Sequence, residues 1–159
     1  MTAEAKPPPL RLFLDVQRVS AASDLPTDAQ LRGWSRAALA DAGGTHALTL
    51  RLVDAPESAA LNQDYRRKQG PTNVLSFPYE APPGYARRLL GDLVICADVV
   101  RREAQEQGKS LSAHWAHMVV HGVLHLRGYD HMMAAEAAEM ESLETEILAR
   151  LGFPDPYGG

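Results

Sequence analysis

Apolar residues alternate with other residues near the start of the chain, as they do in a strand with one buried face. Leucine or valine occupies every second position from Leu10 to Val16, and leucine does so again from Leu48 to Leu52. A period of two points successive side chains to opposite faces of a sheet. The short apolar runs Asn73–Phe77, which Pro78 closes, and Leu93–Cys96 predict two further strands.

Five other stretches have the spacing or the boundary residues of helices. Thr27 followed by Gln30 is a capping box, which predicts the start of the first helix. Asp98 and Ser112 are the predicted N-caps of the third and fourth helices. The last helix is predicted from about Met133 to Leu151, with apolar residues on its inner face and glutamates on its outer face.

The order of these elements is β-α-β-α-β-β-α-α-α, which predicts helices packed on a sheet. We therefore expect an α/β (α+β) single-domain sandwich, in which about five helices cover a small, mixed, four-stranded sheet. The first nine residues are polar and rich in proline, so a loose tail is expected at 1–9 and one domain at 10–159. A length of 159 residues suits a single core. The order of the strands cannot be derived from this pattern.

Composition limits the partners and the compartment of the protein. It has 16 Lys and Arg against 20 Asp and Glu, a formal charge of −4, which disfavours extensive coating of nucleic acid but allows a local basic cleft. Cys96 is the only cysteine, which excludes an intramolecular disulfide and suits a reducing compartment. The chain shows neither the apolar core of a secretion signal nor a run of about 20 apolar residues. We expect a cytoplasmic protein with no membrane partner.

The chemistry of the chain is concentrated between His121 and His131. His121 and His125 are four residues apart, so on a helix they lie one turn apart on the same face. Gly128 predicts the end of that helix, because glycine adopts a left-handed backbone without strain. The turn that follows can return His131 to the first two rings. Three imidazoles in this arrangement predict an open cup for a transition metal, best suited to one zinc ion per chain.

A buried histidine is usually a hydrogen-bonded core residue rather than a metal ligand. Here His114 and His117 share the helical face of His121 and His125, and leaving one crowded imidazole unpaired costs about 1–3 kcal/mol, which a metal removes. Three histidines without a nearby cysteine leave a fourth position for water, which favours a catalytic over a structural ion. For His114 and His117 we expect contacts to the ligands or to a substrate, and Asp130 either orients a ligand or caps the last helix.

Gly122 limits the reaction that such a metal could support. The histidine spacing matches that of the metzincin proteases, in which a glutamate directly after the first histidine is the general base. This chain has Gly122 at that position, so peptide hydrolysis by that route lacks its base. A substrate that is already anionic requires a cation instead, to hold it against the metal.

The candidates for that cation are the consecutive residues Arg66, Arg67 and Lys68. Positive charge near the C-terminus of a helix also complements the helix dipole, which would explain these residues without a binding site. A guanidinium could instead form paired hydrogen bonds to a phosphate beside the metal. Spacing alone leaves both interpretations open.

Several motifs, in one order, resemble the YbeY family of bacterial metal-dependent endoribonucleases and rRNA maturation factors. They read LNQDYRRK at 61–68, PTNVLSFP at 71–78, LGDLVIC at 90–96 and HGVLHLRGYDH at 121–131. The resemblance extends into the last helix and spans roughly residue 46 to the C-terminus. Gln69 departs from the family pattern, in which an acidic residue is common at this position.

The resemblance implies an α/β sandwich, a zinc ion on His121, His125 and His131, and a catalytic role for Arg66. It also implies action on single-stranded RNA, maturation of the 16S rRNA 3′ end, ribosome quality control, and contact with the small ribosomal subunit and assembly factors. We therefore predict a zinc-dependent endoribonuclease, with the nucleophile left open between water and the RNA 2′-OH. The alternatives are a zinc metalloprotease-like hydrolase and a non-catalytic assembly factor that zinc only stabilises.

Overall fold

The computed structural model describes residues 8–79, 88–129 and 133–158. Most of the predicted tail at 1–9 lies outside these residues, and its looseness stays a prediction. The described residues form four strands and five helices in the predicted order. The elements are β1 (Arg11–Arg18), α1 (Asp28–Leu39), β2 (Thr45–Val53), α2 (Ala55–Arg66), β3 (Val74–Pro78), β4 (Arg88–Cys96), α3 (Ala97–Gln107), α4 (Leu111–Leu126) and α5 (Ala134–Arg150).

The four strands form one mixed sheet, as the sequence predicts, in the order β1-β2-β4-β3. β1, β2 and β4 run parallel, and β3 pairs antiparallel with β4 at the edge. The register of β2 on β4 shifts beside Gly91, whose φ is 137°. A Cβ on Gly91 would lie 2.2 Å from the Phe77 carbonyl oxygen, so glycine is required for β3 to approach this closely.

The helices divide unequally between the two faces of the sheet. Leu93 and Ile95 of β4 point into the main core, which α1, α4 and α5 cover. Val94 and Cys96 alternate with them and join a smaller core that includes Leu61 of α2. α4 is the central helix, since it contacts α1, α3, α5, β3 and β4. Among the described elements, no helix is both long enough and apolar enough to cross a membrane.

Two predicted helix caps are wrong. Cys96 is the N-cap of α3, because the chain passes directly from β4 into the helix, and the carboxylate of Asp98 instead accepts a hydrogen bond of 2.8 Å from the Ala55 N–H. Ser110, rather than Ser112, caps α4, and its hydroxyl accepts from the Ala113 N–H at 3.0 Å. The capping box of α1 is confirmed, with reciprocal bonds between Thr27 and Gln30.

α5 also corrects a prediction, because one of its glutamates faces the core. Met140 and Ile147 are buried as expected, but the side chain of Glu144 is fully buried as well. Residue 144 lies four positions after 140 and three before 147, so helical geometry places all three on one face.

Candidate functional site

A cleft of about 440 Å³ opens between α4, the C-terminal end of α2 and the edge strand β3. The residues that line it are Tyr65, Arg66, Asn73, Val74, Leu75, Ser76, Phe77, His121 and His125. The fold thus places Arg66 on the wall of the same cleft as two of the predicted metal ligands. This proximity is consistent with a role for Arg66 at the cleft, and its binding of a phosphate stays a prediction.

The histidines of α4 occupy one face of the helix, as predicted. His114 and His117 are buried near its start and middle, and His121 and His125 are half-buried in its last turns, where they reach the cleft. The ring centroids of His114 and His117 are 6.0 Å apart, and those of His117 and His121 are 6.2 Å apart. The row therefore leads from the core to the cleft.

Glu144 of α5 is the acidic partner of this row. One carboxylate oxygen, Oε1, accepts a hydrogen bond from His121 Nδ1, and the other, Oε2, accepts one from the hydroxyl of Tyr157. His117 Nε2 lies 3.6 Å from Glu144 Oε2 and 3.3 Å from Tyr157 Oη. Burial raises the pKa of Glu144, but the hydrogen bonds from His117, His121 and Tyr157 outweigh it and hold the pKa at about 2. Glu144 is therefore ionised at neutral pH.

A second histidine–carboxylate pair lies upstream on the same helix face. His114 Nε2 is 2.9 Å from Glu103 Oε1. Burial lowers the pKa of His114, although Glu103 opposes that shift. Glu103 also accepts a 3.1 Å hydrogen bond from the side chain of Asn73, a residue of the cleft wall. His114 is thus tied to the scaffold of the cleft without lining it.

Within the described residues, His117, His121 and Glu144 form a group that could hold a metal ion, with donor atoms within 4.8 Å of one another. Of the three predicted ligands, His121 and His125 line the cleft, whereas His131 lies outside the described residues, as does Asp130. The predicted ligand set and the observed group share only His121. A His121 that donates Nδ1–H to a carboxylate keeps its lone pair on Nε2, which suits coordination through Nε2.

Gly122 is closed to any side chain by the sheet beneath it. A Cβ built on Gly122 would lie 2.8 Å from both Leu93 Cδ atoms, and Leu93 is fully buried. The position at which a metzincin carries its general base therefore faces the core here. A side chain at this position would require Leu93 to shift, and this chain has none there.

Two buried polar side chains of α2 hold the segment that follows the helix. Ser58 exchanges hydrogen bonds of 3.0 Å with the backbone of Thr72, and the amide of Asn62 donates to the Gly70 carbonyl at 2.9 Å. Arg67 adopts a left-handed conformation with φ of 56°, which ends the helix directly after Arg66. The exposed side chain of Arg66 therefore extends from a fixed point on the cleft wall.

Two functional candidates, Glu144 and Tyr157, were absent from the sequence prediction. Glu144 carried a signal, since its spacing from Met140 and Ile147 places it on the inner face of α5. Tyr157 carried none, because it lies after α5 in a segment with no periodic pattern.

The family described as endoribonuclease YbeY matches residues 22–152 of the chain. The chain belongs to the YbeY endoribonuclease family. YbeY membership confirms the resemblance found in the motifs and supports a nuclease role in rRNA processing, and with it binding to RNA. Membership in this family agrees with a cleft that is lined by His121, His125 and Arg66.

The fold is similar to that of TM1509 from Thermotoga maritima, whose solution structure superposes with a TM-score of 0.54. The two sequences are 22% identical, and the match covers 91% of this chain and 99% of that one. At this identity the similarity concerns the fold alone.

Proposed function

We propose that this YbeY-family protein is a zinc-dependent endoribonuclease that cleaves single-stranded RNA and matures the 3′ end of 16S rRNA. The observation that carries the proposal is the shared cleft, in which Arg66 faces the same space as His121 and His125. Membership in the family supplies the reaction class, cleavage of RNA. The small ribosomal subunit and its assembly factors are the proposed partners, and the cytoplasm is the proposed compartment.

His121, His125 and His131 are the proposed ligands of one zinc ion. Imidazole nitrogens are preferred zinc donors, and a ligating histidine typically donates its other nitrogen to a carboxylate, as His121 does to Glu144. When bound, zinc would supply a Lewis acid beside the phosphodiester. The donor chemistry of the described residues fits such an ion.

Arg66 would bind the scissile phosphate and offset the charge that develops during cleavage. A guanidinium can bind two phosphate oxygens at once, and such preorganised contacts stabilise a transition state most when water is excluded. The anionic phosphodiester requires such a cation, and the chain has glycine, packed against Leu93, where a metzincin has its general base.

Tyr65 and Phe77 give the cleft an aromatic wall next to Arg66. Their ring centroids are 5.0 Å apart in an edge-to-face arrangement, and Tyr65 is 67% exposed. Exposed aromatic rings stack on unpaired bases, which are available in single-stranded but not in duplex RNA. This wall supports the proposed preference for single strands.

The test is cleavage of single-stranded RNA by protein of measured metal content. We expect Arg66→Ala to lower kcat by about 10²–10³-fold, the usual cost of losing one transition-state donor, while metal content stays unchanged. Lys68→Ala is the matched control. This substitution also removes one positive charge, two residues from Arg66, but Lys68 does not line the cleft. His121→Ala should lose both metal and cleavage. A 2′,3′-cyclic phosphate on the product would identify the RNA 2′-OH as the nucleophile.

The same variants separate the proposal from its rivals. A metalloprotease would cleave a peptide library in a zinc-dependent manner, which the missing base at Gly122 disfavours. A non-catalytic assembly factor stabilised by its metal would keep full function in a folded Arg66→Ala variant. Retention of RNA cleavage by the same variant is a separate outcome, and it would contradict the proposed role of Arg66.

A further inference from the structure

We propose that Glu144, held in place by Tyr157, is a positioning residue that orients His121 for metal binding and is not itself a ligand. This inference rests on the proposed function, because it takes His121 as a ligand of the metal. It adds a carboxylate from α5 and a hydroxyl from the C-terminal segment to the predicted ligands His121, His125 and His131.

The burial of Glu144 is the first observation that requires an explanation. The other glutamates of α5, which are Glu136, Glu139, Glu141 and Glu146, are exposed, whereas Glu144 has no exposed surface. A buried carboxylate is costly unless every oxygen finds a partner, and an apolar side chain would fill a core position at lower cost. Stability alone therefore does not account for a glutamate at this position.

Both oxygens of Glu144 have a directed partner. Oε1 accepts from His121 Nδ1, which fixes the rotation of the ring and the nitrogen that carries its proton. Oε2 accepts from the Tyr157 hydroxyl, with His117 Nε2 at 3.6 Å. The bond from Tyr157 to Oε2 thus fixes the carboxylate, and Oε1 can then orient the His121 ring.

Tyr157 is itself anchored to α5. Its backbone N–H donates to the Asp155 carboxylate at 2.8 Å, and Thr145 of α5 lies 3.4 Å from the same carboxylate. Phe153, earlier in the same segment, packs edge-to-face on Trp34 of α1 with centroids 6.2 Å apart. The segment after α5 is therefore part of the support of His121.

The pair formed by His114 and Glu103 is a built-in control. It has the same chemistry on the same face of α4, and its nitrogen–oxygen distance is 2.9 Å, but His114 does not line the cleft. A carboxylate that only satisfies a buried imidazole should behave like Glu103. A carboxylate that orients a metal ligand should behave differently when a metal is titrated.

The experiment measures zinc affinity, by competition with a chromophoric chelator, for the wild type and for Glu144→Gln, Tyr157→Phe and Glu103→Gln. Loss of such a supporting partner typically weakens metal binding by about 10–100-fold, and we expect this for Glu144→Gln. Tyr157→Phe should show a smaller loss, because Glu144 keeps its bond to His121. Glu103→Gln should bind zinc like the wild type. Glu144→Gln and Tyr157→Phe weaken hydrogen bonds to a buried carboxylate, so some loss of thermal stability is expected in the metal-free state. Zinc affinities are therefore compared at a temperature at which each metal-free variant is folded, as circular dichroism checks.

The Co²⁺ absorption spectrum distinguishes orientation from ligation. If Glu144 only orients His121, the ligand set is unchanged, and the Co²⁺-loaded Glu144→Gln variant keeps the shape of the wild-type spectrum at higher metal concentration. A changed spectrum, or loss of the 1:1 stoichiometry, would show that Glu144 is a ligand together with His117 and His121, and would overturn the inference.

Equal zinc affinity of the wild type, Glu144→Gln and Tyr157→Phe would also overturn it, while leaving the proposed nuclease function intact. Tyr157→Phe covers the case in which Glu144→Gln does not fold, since Tyr157 is half-exposed and loses only one oxygen. A folded wild type that binds no divalent metal would overturn both this inference and the proposed metal site.

Discussion

Gly122 connects the packing of the central helix to the chemistry of the cleft. With no side chain, Gly122 allows α4 to lie against Leu93 of β4, and a larger residue at this position would require Leu93 to shift. His121, one residue earlier, is directed towards the cleft instead. Gly122 is therefore the residue that distinguishes this site from that of a metzincin protease, which has a glutamate as general base at the same place in its histidine motif.

Gly122→Ala should destabilise the protein. Overpacking a core costs about 1–3 kcal/mol, which exceeds the gain of about 1 kcal/mol that alanine brings to a helix interior. Leu93 is fully buried in the main core, so its methyl groups would have to shift among other packed side chains. The measurement is the free energy of unfolding in urea.

Gly33→Ala is the matched control for this prediction. Gly33 lies inside α1, and a Cβ there would have no atom within 4 Å. We expect this variant to be more stable than the wild type by about 0.5–1 kcal/mol, since only the helix propensity changes. If Gly122→Ala were stabilised to the same extent, the close contact between α4 and β4 would be contradicted.

The sequence named three of the residues that line the cleft, but not the residues that support them. His121 and His125 were candidates because histidines one helical turn apart leave a local signature, and Arg66 was a candidate cation whose neighbours the sequence could not identify. Glu144 and Tyr157 were missed because their contacts are tertiary: each meets a histidine only after α5 has packed against α4. The spacing of residues in α5 indicates that Glu144 is buried, but it does not identify the histidine that Glu144 contacts.

The elements themselves were predictable to within a few residues where periodicity and turn residues agree. β2 follows its predicted apolar pattern, and the bounds of α5 lie within one residue of the prediction at each end, although Glu144 departs from the predicted pattern. The cap of α4 was misplaced by two residues, because Ser110 and Ser112 are equally good capping residues and the choice depends on where Leu111 meets the core. The strand order β1-β2-β4-β3 had no local signal, since pairing depends on distant parts of the chain.

The end of α2 and the edge strand β3 form one wall of the cleft, and their aromatic pair gives a prediction about RNA binding. Tyr65→Ala should weaken binding of a single-stranded oligoribonucleotide by about 1–3 kcal/mol, the usual contribution of one base stacked on a ring. Tyr65→Phe keeps the ring and should bind like the wild type. Both substitutions are made in metal-loaded Arg66→Ala protein, so that the RNA is not cleaved, and fluorescence anisotropy measures the affinity for the labelled oligoribonucleotide. Equal affinities of the Ala and Phe variants would contradict stacking on Tyr65.

The charge of the whole molecule restricts how RNA can be bound. The chain carries a formal charge of −4, and several of its arginines are engaged by carboxylates away from the cleft. These are Arg18 with Asp28, Arg51 with Glu57, Arg101 with Asp24, and Arg127 with Asp41. Positive charge at Arg66, Arg67 and Lys68 therefore stands out locally against an acidic background, so RNA should be contacted over a short length.

The dependence of RNA affinity on salt tests this local mode of binding. Each phosphate neutralised on a single strand contributes about −0.7 to the slope of log K against log salt concentration, so contact with two to four phosphates predicts a slope of about −1.5 to −3. Arg66→Ala should make the slope shallower by about 0.7, because one phosphate contact is lost, whereas Arg18→Ala, far from the cleft, should leave it unchanged. A wild-type slope of about −6 or steeper would mean that RNA is held along an extended surface, and the cleft would then be only part of the binding site.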